Sequence, residues 1–162
     1  MNKFTTVFCT GLLMSSSVAF AADGQINFEG EIIANGCTID AVPTVSLGTY
    51  TIAAWANMNE SSPREFKINL SNCPKTGGTF IFQGSNDGKD DFVLPTTKEL
   101  SLRILNANGD KLKPNEKDTS TYVLSTTASV STVSFEAQYV KNGTTVSEGA
   151  ANGTVNFVVE YE

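Results

Sequence analysis

The sequence predicts an all-β chain folded as an antiparallel sandwich, with an immunoglobulin-like arrangement as the leading architecture. Three observations carry that expectation. Short runs of alternating apolar and polar residues recur along most of the chain, the period expected of strands with one buried face. Asn-Gly, Asp-Gly and Gly-Gly pairs punctuate them, and such pairs mark turns between strands. Helical periodicity is scarce, and Thr, Ser and Val are abundant, which suits strands packed as two layers.

The first segment reads as an export signal, not as part of the sandwich. Lys3 gives a positive start, Phe4 to Phe20 is mostly small and apolar, and Ala19-Phe20-Ala21 fits the small-x-small cleavage pattern. Cleavage is expected after Ala21, with Ala22 as a near alternative, so residues 1–21 form the signal peptide. The run is broken by Thr10, Gly11 and Ser15 to Ser17 and is shorter than the roughly 20 residues of a membrane span. What remains of the 162 residues is the size of one domain with a real core. The net charge of −6 becomes one unit more negative when Lys3 leaves. An acidic surface without basic clusters argues against nucleic acid and anionic membranes as partners.

The stretch Gly24 to Ile33 opens the exported chain as an amphipathic strand. Ile26, Phe28, Gly30 and Ile32 share one side, and Gln25, Asn27, Glu29 and Glu31 the other. Asn35-Gly36 is read as a turn, and Cys37-Thr38-Ile39 as the start of a strand. Of three cysteines, Cys9 lies in the signal, which leaves Cys37 and Cys73. Two cysteines in an exported chain most simply form one disulfide, stabilising the fold by roughly 3–4 kcal/mol in the chain-entropy treatment.

Val45 and Leu47 suggest a short strand before Gly48. Ile52 to Met58 lacks a clean period of two and fits either a short helical turn or a loop that packs Trp55 inward. Phe66, Ile68 and Leu70 form a strong strand ending near Cys73. Phe80 and Phe82 mark another, and Phe92 to Leu94 a weaker one. Leu100, Leu102 and Ile104 lead to the Asn108-Gly109 turn as a hairpin arm, and Lys111 to Lys117 reads as a solvated loop. Tyr122 to Leu124 follows. Val133, Phe135, Ala137 and Tyr139 then alternate up to Asn142-Gly143, read as a tight hairpin turn. Val155, Phe157, Val159 and Tyr161 close the chain on one side of a final strand.

The residues for catalysis are missing. There is no histidine, which removes the usual general base and the commonest metal ligand. Asp87, Asp90 and Asp91 are the densest carboxylates, but their spacing is not that of a calcium loop, and a solvated acidic loop is the better reading. Adjacent residues of an extended chain point apart, which also disqualifies Asp90 and Asp91 as a glycosidase pair. No catalytic residue, metal site or cofactor is expected. A self-contained carbohydrate-binding sandwich remains the alternative, with Tyr50 and Trp55 as a sugar-stacking surface, although core packing suits Trp55 better.

Taken together, these features resemble a structural pilin of the chaperone–usher pathway, close to type 1 fimbrial subunits. The resemblance is carried by the signal peptide, the alternating extension with its glycine (Ile26, Phe28, Gly30, Ile32), Cys37 and Cys73, Gly149 fourteenth from the end, and penultimate Tyr161. It implies an incomplete immunoglobulin-like sandwich that lacks its last strand and is completed by a donated one. Residues 22–36 are then the donor-strand extension and 37–162 the pilin domain. Gly149, Val155, Phe157, Val159 and Tyr161 belong to the C-terminal strand bordering the groove. The implied partners are a periplasmic pilus chaperone, an outer-membrane usher and neighbouring subunits, with export through the periplasm into a surface fimbrium that mediates adhesion. The segment Thr51 to Ser62 matches no motif of that family.

Overall fold

The structure is a computed structural model that describes residues 35–40 and 44–162. The proposed signal peptide, and Ile26, Phe28, Gly30 and Ile32 of the proposed extension, lie outside the described residues. The described chain contains nine strands and one short helix: β1 (Thr38–Ile39), α1 (Ile52–Trp55), β2 (Arg64–Ser71), β3 (Gly77–Gln83), β4 (Phe92–Val93), β5 (Leu100–Asn106), β6 (Lys111–Leu112), β7 (Tyr122–Val123), β8 (Ser131–Lys141) and β9 (Asn156–Tyr161).

They form two antiparallel sheets. The first runs β1-β2-β8-β5-β4, with β6 pairing the same edge of β5 farther along; the second runs β7-β3-β9. The alternation seen in the sequence sets which side chains meet between them. From the first sheet Ile68, Leu70, Ile104, Val133 and Phe135 turn inward, and from the second Phe80 and Phe82. Phe135 sits at the centre, with ring centroids 5.1 Å from Phe80 and 5.0 Å from Phe82 in edge-to-face contact. Each such pair contributes about 0.5–1.5 kcal/mol beyond the area it buries. Cys37 and Cys73 are disulfide-bonded, tying β1 to the end of β2, where Thr38 pairs with Ser71.

A second apolar cluster of Trp55, Leu94 and Leu100 closes one region of the sandwich, packed by Tyr50, Met58 and Tyr139. Thr51 caps α1, its hydroxyl accepting from the Ala54 N–H at 3.3 Å. This resolves the open reading of Ile52 to Met58: one helical turn carries Trp55 into the core, where it is 3% exposed. A ring so covered cannot stack on a sugar, which removes the surface proposed for a carbohydrate-binding sandwich.

Several local expectations are corrected. Residues 44–50 form no strand, and among the described residues no strand pairs with Val45 or Leu47. Asn35-Gly36 forms no turn. Lys111 to Lys117 is not a free loop: it opens with β6, and Leu112 and Pro114 are buried. The Asn115 and Asp118 N–H groups donate to Phe82 and Phe80 carbonyls, lacing the segment along β3. Asn142-Gly143 makes no tight hairpin, since β8 and β9 belong to different sheets; both its N–H groups donate to the Glu99 carbonyl. Asp91 is 2% exposed, not solvated. Its carboxylate takes two hydrogen bonds of 2.9 Å from Arg103 and lies 3.0 Å from Lys111.

Candidate strand-acceptor groove

The C-terminal strand positions the site. β9 pairs with β3 along one side, Phe82 opposite Phe157 and Phe80 opposite Val159. The Glu162 N–H donates to the Gly77 carbonyl at 3.0 Å, so Glu162 and Gly77 are a hydrogen-bonded pair. Antiparallel ladders alternate bonded and non-bonded pairs. The backbone N–H and C=O groups of Phe157, Val159 and Tyr161 therefore face away from β3, along an edge that pairs with no other strand among the described residues. An unpaired edge is a template for another strand.

Side chains on this strand alternate with the same phase. Val155, Phe157, Val159 and Tyr161 pack against the central core, each partly buried, while Asn156, Val158 and Glu160 are exposed. Beside Phe157 lies an apolar groove of about 630 Å³. The first sheet lines it with Phe66, Ile68, Leu102, Ile104, Ala137 and Tyr139. Thr44, Val45 and Leu47 line it from one connecting segment, and Ala151 to Val155 from another. The half-buried Val45 and Leu47 thus supply groove lining in place of a strand. The Tyr139 hydroxyl donates to the Ala151 carbonyl at 2.7 Å, holding the second segment against β8. Burial pushes that hydroxyl above its ordinary pKa, and the nearby Tyr50 adds to the shift, so it stays a donor at neutral pH.

The candidate C-terminal residues are placed unequally. Phe157 and Val155 line the groove. Tyr161 lies at the far end of β9, and its hydroxyl accepts from the Cys37 N–H at 2.8 Å. That bond joins the last strand to the first cystine residue. Gly149 is exposed, in the connection before β9, with φ of +152° and open space where a Cβ would stand. Its lack of a side chain matters for backbone conformation rather than for close approach. Close approach belongs to Gly153, where an added Cβ would come within 2.7 Å of Leu94 Cδ2. Neither Gly153 nor the first-sheet lining stood out in the sequence. Alternation shows which residues turn inward but not which of them the second sheet leaves uncovered. Among the described residues no group of three or more His, Cys, Asp or Glu side chains is placed to hold a metal.

Comparison with known proteins bears on the family and the fold. The family model "Fimbrial protein" matches residues 26–162. The chain is 27% identical to the fimbrial subunit type 1 of Salmonella typhimurium over 99% of both chains. It is 43% identical over 82 residues to the uncharacterized fimbrial-like protein YraH of Escherichia coli K12, covering 48% of this chain and 42% of that one. Among solved structures, the P pilus rod subunit PapA superposes with a TM-score of 0.65 at 21% identity, over 79% of this chain and all of PapA. A chain of a chaperone–usher pilus gives 0.65 at 18% identity, over 91% of this chain and all of that one. The two-sheet fold is thus that of chaperone–usher pilus subunits, and the chain belongs to the fimbrial protein family, whose members are structural, non-enzymatic subunits of surface fibres.

Proposed function

We propose that the groove beside β9 receives an extended strand from another molecule, and that subunits join head-to-tail by this donation. The observation that carries the reading is the combination of a backbone edge at Phe157, Val159 and Tyr161 that is unpaired among the described residues with an apolar groove at its Val155–Phe157 end. The donor is the extension 22–36, whose Ile26, Phe28 and Ile32 present one apolar side and whose Gly30 adds no bulk. Burying those three side chains yields roughly 5–9 kcal/mol. Whole domains are stable by only about 5–15 kcal/mol, so a subunit with an unfilled groove is marginal. A periplasmic chaperone that lends a strand during export, and an outer-membrane usher at which the lent strand is exchanged, answer that instability. Residues 1–21 direct export and 37–162 form the acceptor domain. A contact between two different surfaces of one subunit generates an open filament, not a closed ring.

Deletion of residues 22–35 tests the reading. The shortened subunit keeps its groove, so it is expected to co-purify with the chaperone and to accept a donor, but never to donate to another subunit. A shortened chain that still builds fibres, or that folds as a stable monomer without a chaperone, overturns the proposal.

A further inference from the structure

The chain carries four Asn-Gly pairs, Asn35-Gly36, Asn108-Gly109, Asn142-Gly143 and Asn152-Gly153. Glycine after asparagine leaves the main-chain nitrogen sterically open and the backbone free to rotate. The four pairs stand in different surroundings. In the β5–β6 turn the Gly109 N–H donates to the Asn106 carbonyl at 2.9 Å, and the Asn108 N–H is held by the Asn106 side chain at 3.0 Å. The Gly143 N–H points at the Glu99 carbonyl, 3.4 Å away, and the Asn142 N–H donates to the same oxygen at 2.8 Å. Asn152 is clamped on both sides: its N–H donates to Thr96 Oγ1 at 2.8 Å and its carbonyl accepts from the same hydroxyl at 3.1 Å. Gly153 beside it is packed on Leu94.

Gly36 packs against the Tyr161 hydroxyl much as Gly153 does against Leu94, but among the described residues neither Asn35 nor Gly36 has a backbone hydrogen bond of the kind that holds the other pairs. Both residues are exposed and outside any strand or turn, and no described group accepts from the Gly36 N–H. The first anchored atom is the next nitrogen, Cys37 N, bonded to the Tyr161 hydroxyl. We propose that Asn35 is a site of spontaneous deamidation and isoaspartate formation, selected by the structure over the three other Asn-Gly pairs. The Gly36 nitrogen attacks Asn35 Cγ and forms a C–N bond. The side-chain amide nitrogen leaves as ammonia, carrying away the Gly36 N–H proton. Water then adds across one of the two imide C–N bonds, its hydroxyl going to carbon and its proton to nitrogen. Opening one bond yields aspartate. Opening the other routes the main chain through Cβ and Cγ and yields isoaspartate.

Either product adds a negative charge, and isoaspartate adds a methylene to the backbone just before the cystine anchor. If residues 22–36 are donated as proposed above, this lengthens the link between donated strand and parent subunit as the fibre ages. The chemical assignment itself is read from peptides and holds or fails whether or not donation occurs.

The test is a time course on intact fibres sheared from cells and held at mildly alkaline pH. Peptide mapping with electron-transfer fragmentation separates isoaspartate from aspartate at each of the four pairs. A reduced, denatured sample is incubated in parallel. Asn35 is expected to convert severalfold faster than Asn108, Asn142 and Asn152 in the fibre, with the four rates drawing together in the denatured chain. Comparable rates at all four sites in the fibre overturn the proposal, as does faster conversion at any clamped pair. So does an Asn35 lead that persists unchanged after denaturation, because the selectivity would then come from local sequence alone.

Discussion

Replacing Leu102 with glutamate separates a residue that stabilises the subunit from one that serves strand insertion. Leu102 projects from β5 to the groove, partly buried, and packs at the border of the two apolar clusters. In an unfilled groove a carboxylate there keeps contact with water. Under an inserted strand it becomes a buried charge with no partner, since no basic side chain lines the groove. An uncompensated buried charge costs about 3–5 kcal/mol. At 1.4 kcal/mol per factor of ten, that weakens donor capture by more than about 100-fold. The assay mixes chaperone-loaded subunit with a fluorescent peptide spanning residues 22–35 and follows strand exchange by anisotropy. Leu102→Gln is the uncharged comparison, and Val123→Glu, at a position 85% exposed on β7, controls for added charge. Burial raises a carboxyl pKa, so capture by the Leu102→Glu subunit is expected to recover partly on acidification. Capture equal to that of the unaltered subunit, with chaperone loading intact, refutes the placement of the inserted strand over Leu102.

Two further outcomes concern the outer face of the first sheet. Asp91→Asn is expected to cost about 3–5 kcal/mol, because Arg103 and Lys111 lose the buried carboxylate that they share; chemical denaturation of the complemented subunit measures it, and a change below about 1 kcal/mol contradicts it. Burial pushes the Asp87 carboxyl up, but the Ser101 hydroxyl, the N–H groups of Lys89 and Asp91, and Lys111 together leave it below the ordinary value of 3.8. Its contribution is therefore complete above that value and is lost as pH falls through the lower folded-state value. Ser101→Ala should move the acid-unfolding midpoint upward, and an unchanged midpoint would remove Asp87 from the account.

The strands that were legible in the sequence are those whose alternation coincides with burial. Phe66-Ile68-Leu70, Phe80-Phe82 and Val133-Phe135-Ala137 all turn inward as their spacing predicts. Errors arose where a local signal met a tertiary demand. Asn142-Gly143 has favourable hairpin chemistry, but the chain there must cross from one sheet to the other, so no partner strand follows directly. Asp91 reads as surface charge until Arg103 and Lys111, distant in sequence, enclose it. The groove was half legible. Val155 and Phe157 fall on the inward phase of the last strand, whereas Leu102 and Ala137 look like any other core residues. Only the topology, with β9 at a sheet margin, puts them beside the groove.

If a strand is inserted as proposed above, its direction follows from where the chain enters the domain. Residue 36 adjoins Tyr161, since the Tyr161 hydroxyl is bonded to Cys37 N and would lie 2.9 Å from a Cβ placed on Gly36. A subunit's own extension, laid straight back from that point along β9, would run from the Phe157 end towards the Tyr161 end, parallel to β9. Every described ladder in the fold is antiparallel, and antiparallel pairing is the slightly more stable kind. An antiparallel strand on the free edge must have its N-terminal end near Tyr161 and its C-terminal end near Phe157, which a second molecule supplies without reversing the chain. On the donation proposed above, Ile32 of the donor then comes to the Val155–Phe157 end and Ile26 to the Tyr161 end. Fibres carrying Ile32→Cys with Val155→Cys are expected to cross-link between subunits under mild oxidation, and fibres carrying Ile26→Cys with Val155→Cys are not. The reverse pattern would mean parallel insertion, and bridges confined within single subunits would mean that each chain fills its own groove.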